Sequence, residues 1–129
     1  MKDIKFVSDE IKARMDKSDA DGGVFLKRLK AGDVLTVDTR NSTYILEVVD
    51  PEKWVVNIQG GIRFPESTEV TINGSTWGGS MLKIGFVGNG MCLEIRIPSE
   101  KHRLNTSCIE NIHVKTDKFS YDVNPQELN

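Results

Sequence analysis

The sequence has little sulfur and little histidine. Two cysteines, Cys92 and Cys108, and two histidines, His102 and His113, are spread over 129 residues. They form no Cys-x-x-Cys or His-x-x-x-His spacing, so the familiar zinc patterns are excluded and no metal or cofactor is expected. Two cysteines permit one disulfide, Cys92–Cys108, but in a cytoplasmic protein two reduced, structural thiols are the expectation. No apolar run approaches the roughly 20 residues that a membrane helix needs, so no membrane partner is expected. The start, Met1-Lys2-Asp3-Ile4-Lys5, lacks the apolar stretch of a signal peptide, which makes the cytoplasm the default location. A basic excess is missing too. Seventeen Lys and Arg stand against nineteen Asp and Glu, a net charge of -2, unlike a dedicated duplex binder. Aromatic residues reach only 7%, which leaves few stacking platforms for single-stranded nucleic acid.

With 38% apolar and 28% charged residues, the chain can bury one core and reads as a single globular unit. Residues 1–32 read as a helical appendage. Ser8 can cap a helix with Asp9 and Glu10 in its first turn, and Ile11 and Met15 share a face. The stretch Ser18-Asp19-Ala20-Asp21-Gly22-Gly23 breaks that helix. A second short helix then offers Val24, Phe25, Leu26 and Leu29, with Ala31-Gly32 as its stop.

From Asp33 the hydrophobic period changes to two. Leu35 and Val37; Tyr44, Leu46 and Val48; Trp54, Val56 and Ile58; Val70 and Ile72; Leu82, Ile84 and Phe86; and Met91, Leu93, Ile95 and Ile97 each mark one apolar face of a short strand. Leu104 to Val114 supplies a last one. Arg40-Asn41-Ser42, Asp50-Pro51-Glu52-Lys53, Asn73-Gly74 and Gly88-Asn89-Gly90 carry turn chemistry, the last two as tight hairpins. Short strands and tight turns predict a mainly β chain. The expected fold is a small antiparallel β-barrel or roll of SH3-like or OB-like size over residues 33–115, with the N-terminal helical segment before it. Residues 116–129 read as a polar, frayed tail. Glu94, alternating with Leu93 and Ile95, reads as a surface position.

Eight of the eleven glycines lie between Gly60 and Gly90. Tight turns and bulges account for them, and close approach of backbone amides to an anion is the alternative. The most unusual segment is Asn73-Gly74-Ser75-Thr76-Trp77-Gly78-Gly79-Ser80. Hydroxyls such as Ser75, Thr76 and Ser80 can hold phosphate or ribose oxygens, and Trp77 can stack on a base. A second candidate is Arg40-Asn41-Ser42-Thr43-Tyr44, where Arg40, Asn41, Ser42 and Tyr44 meet at a turn. Arg63, just after Gly60-Gly61, joins them if the two loops share an end of the barrel, and arginine forks suit phosphates.

No catalytic constellation emerges. His102 sits in a charged turn, His113 alternates with Ile112 and Val114, and neither lies near a nucleophile elbow. No phosphate-loop pattern occurs among the glycines. The chain is therefore expected not to be an enzyme. Lys27, Arg28 and Lys30 form a small basic cluster, too little to make nucleic acid an expected partner.

The pattern Gly32-Asp33, Thr39-Arg40-Asn41-Ser42-Thr43-Tyr44, Gly60-Gly61 with Phe64-Pro65, Gly74-Ser75-Thr76 with Gly78-Gly79-Ser80, Gly90-Met91 and Thr106-Ser107 resembles small uncharacterised β-rich proteins of bacterial and phage genomes. That resemblance transfers no catalytic residue. It implies a stand-alone accessory protein, for which sequestering a small nucleotide signal without cleaving it is one role. The expected function is thus non-enzymatic binding of a small anionic or nucleotide-like ligand. The alternatives are a protein–protein interaction or oligomerising module and, more distantly, a single-strand nucleic-acid binder. Ile45, Val49 and Val55 fall opposite the expected core and predict a homo-oligomer or a cover by the N-terminal helices.

Overall fold

The structure, a computed structural model, describes residues 22–77 and 81–123. Among the described residues there are ten strands: β1 (Gly23–Phe25), β2 (Val34–Thr39), β3 (Thr43–Asp50), β4 (Val55–Gly60), β5 (Phe64–Thr76), β6 (Leu82–Ile84), β7 (Phe86–Gly88), β8 (Cys92–Arg96), β9 (Leu104–Lys115) and β10 (Ser120–Val123). Every strand pairing is antiparallel. β2, β3, β4 and β5 pair in succession, β8 pairs with both β5 and β9, and β9 returns to β2, so six strands form a closed ring of hydrogen bonds. Two long strands make this closure work. β5 pairs with β4 and then β6 along its length, and with β8 besides. β9 pairs with β2, with β8 through its first half and with β10 through its second.

The alternation places the core inside that ring. Leu35, Val37, Leu46, Val56, Ile58, Ile72, Leu93, Ile95, Ile112 and Val114 are wholly buried. In β9 the period of two slips: Ile109 and Ile112 both point inward although they are three residues apart, because the pairing with β2 skips a residue after Asp38. Asp50-Pro51-Glu52-Lys53 is the expected turn, with Lys53 N–H donating to Asp50 O at 3.2 Å.

Several expectations are corrected. Residues 24–30 are not helical. Val24 and Phe25 belong to β1, which pairs with β7, and only a single 3-10 turn, Leu26–Arg28, follows. Val24, Leu26 and Leu29 are nonetheless core residues, packed with Val87. The helix expected around Ser8, Asp9, Glu10, Ile11 and Met15 lies outside the described residues. Asn73-Gly74 is not a hairpin turn; it lies within β5, at a register shift against β8. Gly74 has φ +149° there, and a Cβ at this point would stand 2.1 Å from Lys83 O, so only glycine lets β6 approach. Gly88-Asn89-Gly90 turns the chain, but β7 pairs with β1 rather than with β8. Leu82 and Ile84 face solvent: among the described residues β6 pairs only with β5, and it is the opposite face, through Lys83, that lies over the Phe86 and Phe25 rings. Trp54 is half-buried in the turn before β4 and packs at the margin of the core. Residues 120–123 are no frayed tail: Tyr121 and Val123 are buried as β10. Of the outer-face residues, Ile45 and Val49 are exposed and Val55 is half-buried.

Candidate functional site

One end of the ring gathers the polar loops. The β2–β3 turn is closed by Thr39, whose N–H and hydroxyl both donate to Ser42 O, at 2.8 and 2.9 Å. Arg40 N–H then donates to Cys108 O at 2.9 Å, and Asn41 N–H to Ser107 Oγ at 3.2 Å, which ties the turn to β9. Across from it, Gly60 pairs with Tyr44. Gly61, at φ +62°, lies so close that a Cβ there would meet the Tyr44 hydroxyl at 3.1 Å and Ser42 Oγ at 3.2 Å. Tyr44 is 8% exposed and packs edge-on against Phe64, the first residue of β5.

Between these segments opens a shallow cleft of about 280 Å³, lined by Asn41, Ser42, Tyr44, Ile62, Arg63, Leu104, Asn105, Thr106 and Ser107. The loops carrying Asn41, Ser42 and Arg63 meet around this cleft. The Arg63 guanidinium ion-pairs with Glu100, and both side chains are close to half exposed. Arg40 is exposed on the same turn and is not among the lining residues.

The second group of candidates lies elsewhere. Arg63 precedes β5 and Trp77 follows it, so the 13 residues of that strand stand between them, roughly 40 Å of extended chain. Ser75 is fully buried. Its hydroxyl donates to Phe86 O at 2.6 Å and accepts from Gly88 N–H at 3.2 Å, holding β7 to β5. Thr76 is buried as well, and Trp77 is exposed. Ser80 lies outside the described residues. Arginine and indole therefore do not share a site.

The partners that sequence reasoning missed are Ile62, Glu100, Leu104, Asn105, Thr106 and Ser107. The signal for Thr106-Ser107 was present as two hydroxyl residues interrupting an alternating strand. They form a bulge opposite Leu93, whose N–H donates to Thr106 Oγ1 at 3.0 Å. A second hollow, of about 380 Å³, lies at the other end of β2 between Lys30, Asp33, Lys115 and Asp117. Its charges balance, and Asp33 is occupied in closing the turn through Lys30 N–H at 2.9 Å. Among the described residues no group of three or more His, Cys, Asp or Glu could hold a metal ion, and no helix is long and apolar enough to cross a membrane. Compared with known proteins, the chain matches no family model, no curated protein and no solved structure.

Proposed function

We propose that the chain is a non-enzymatic binding protein. The ring of strands acts as a small barrel that holds a small, polar, anion-bearing molecule of nucleotide-like character in the cleft between Tyr44, Arg63 and Ser107. One observation carries this reading: three separate chain segments place hydroxyls, amides and one guanidinium around a single open hollow. Neutral donors and acceptors suit a sugar or ribose, Ile62 and Leu104 offer apolar contact, and Arg63 suits a phosphate or carboxylate. Glu100 is no obstacle to an anion. A pair this exposed contributes at most about 1 kcal/mol, so a phosphate can take its place at small cost.

The test is calorimetry against mono-, di- and cyclic nucleotides and ADP-ribose, at low and high salt. Arg63→Ala should weaken binding roughly ten- to a hundredfold, an effect that shrinks as salt rises. Glu100→Gln, which removes the competing carboxylate, should tighten it. The ligand should be recovered intact by mass spectrometry from heat-denatured complex. Wild-type protein that binds none of the panel at millimolar concentration sinks the reading.

The edge of β6 that no other described strand pairs with favours a second reading, an oligomerising module whose partner is a second copy. Trp77, Met81, Leu82 and Ile84 surround this edge and are each 41–68% exposed. An open strand edge beside apolar side chains is a template for strand addition. Light scattering should then show a dimer that Ile84→Glu dissolves, whereas a strict monomer at high concentration removes this reading.

A further inference from the structure

Cys92 and Cys108 lie on β8 and β9, a pairing that completes the ring, and the register sets them opposite one another. They are not joined by a disulfide. Their neighbours fix the kind of position they occupy. One residue along, Ile109 turns both backbone groups to this seam: its N–H donates to Met91 O at 2.8 Å and its O accepts from Gly90 N–H at 2.7 Å. Cys108 O points the other way and accepts from Arg40 N–H in the β2–β3 turn. Cys92–Cys108 is therefore a non-hydrogen-bonded position, where opposing Cα atoms stand about 4.5 Å apart and the side chains approach most closely on one face. A disulfide spans a Cα separation of about 4.4–6.8 Å, so a position of this kind suits a cross-strand bridge. The face is the outer one. Leu93 and Ile109 point into the core, Cys92 is half-buried and Cys108 is exposed.

We propose that Cys92 and Cys108 form a thiol–disulfide exchange site, closed into a cross-strand bridge by a small disulfide of the oxidised-glutathione class. The more exposed Cys108 attacks the small disulfide as its thiolate and releases one small thiol, leaving a mixed disulfide. Cys92 then attacks the Cys108 sulfur, the protein bridge forms, and a second small thiol leaves. The two protein thiols lose two electrons and two protons, and the small disulfide takes up both. Because Cys108 is exposed, the same exchange run in reverse opens the bridge again in a reducing thiol pool. The bridge staples β8 to β9 beside the Thr106-Ser107 bulge, whose Ser107 Oγ holds Asn41 N–H. The site stands whether or not the cleft takes a ligand.

The experiment incubates wild type, Cys92→Ser and Cys108→Ser in buffers of graded reduced and oxidised glutathione, quenches with acid and reads intact mass. Wild type should lose two hydrogens with no added glutathione, recover them with dithiothreitol, and melt more than about 5 °C higher when oxidised. Each single variant should end as a glutathione adduct at its remaining thiol and show no such rise. Wild type that accumulates glutathione adducts or intermolecular dimers, with no internal bridge, overturns the proposal. An internal bridge that leaves the melting temperature unchanged overturns the claim that it staples the native strands. Both variants carry replacements on the outer face, and their melting temperatures in reducing buffer check that they fold.

Discussion

Asn73 and Glu94 are joined across the β5–β8 seam: the Asn73 amide donates to a Glu94 carboxylate oxygen at 3.0 Å, and Glu94 is only 8% exposed. A glutamate that alternates with core residues was expected on the surface. It does lie on the outer face of the ring, yet Asn73, at the register shift of β5, covers it. Glu94→Ala should therefore destabilise the fold by about 1.5–3 kcal/mol, the worth of a hydrogen bond to a charged group, here from a half-buried donor. Urea denaturation checks this. Arg103→Ala should cost at most about 1 kcal/mol, because that guanidinium is 3.7 Å from Glu94 and 67% exposed.

Ser75→Ala removes one hydroxyl that serves two backbone groups, Phe86 O and Gly88 N–H. Both are then buried without that partner. A loss of about 1–3 kcal/mol is expected, together with faster amide exchange in β7. Unchanged exchange at Val87 and Gly88 would show that β7 does not depend on this hydroxyl.

Gly74→Ala puts a methyl group 2.1 Å from Lys83 O. Backbone must move, and of the two strands that meet here β6 is the one that, among the described residues, is paired on one side only. Amide protection of Lys83 should be lost while that of Leu46 in the ring persists, as read by hydrogen exchange.

Tyr121→Ala tests whether β10 belongs to the core. Tyr121 is 2% exposed, and its strand is further tied by the His113–Asp122 contact of 2.7 Å. Truncating a buried aromatic of this size should cost about 3–5 kcal/mol in thermal or urea unfolding. A cost below about 0.5 kcal/mol would return these residues to a frayed tail.

The strands of the ring were legible because each has one buried face, so Leu35 and Val37, or Leu46 and Val48, repeat with a period of two. What was not legible depends on partners distant in the chain. Val24, Leu26 and Leu29 show spacing that suits a helix, and a three-residue strand is too short to show its own period. β1 exists because β7 lies beside it. Asn73-Gly74 carries a strong local turn signal. Here the glycine serves a bend in β5, which must meet β4, β6 and β8 in turn. Leu82 and Ile84 alternate as well as any core pair, and alternation cannot tell a covered face from a bare one. For the cleft, Asn41, Ser42, Tyr44 and Arg63 could be named as two loops, but their meeting depends on the β3–β4 register. Ser75 and Thr76 looked like ligand groups because a buried hydroxyl and an exposed one are the same letter.

The β2–β9 pairing has a consequence for how this chain is made. Val34 pairs with Lys115 and Thr39 with Ile109, so β2 finds its outer neighbour only after most of the chain exists. At roughly 5–20 residues per second, a ribosome takes about 4–15 seconds to travel from the end of β2 to the end of β9. Throughout that interval β2, β3, β4 and β5 can zip together, but β2 keeps an open row of N–H and C=O groups. A pause in translation between Gly61 and Arg103 would lengthen that exposure, and crowding by other nascent chains would exploit it.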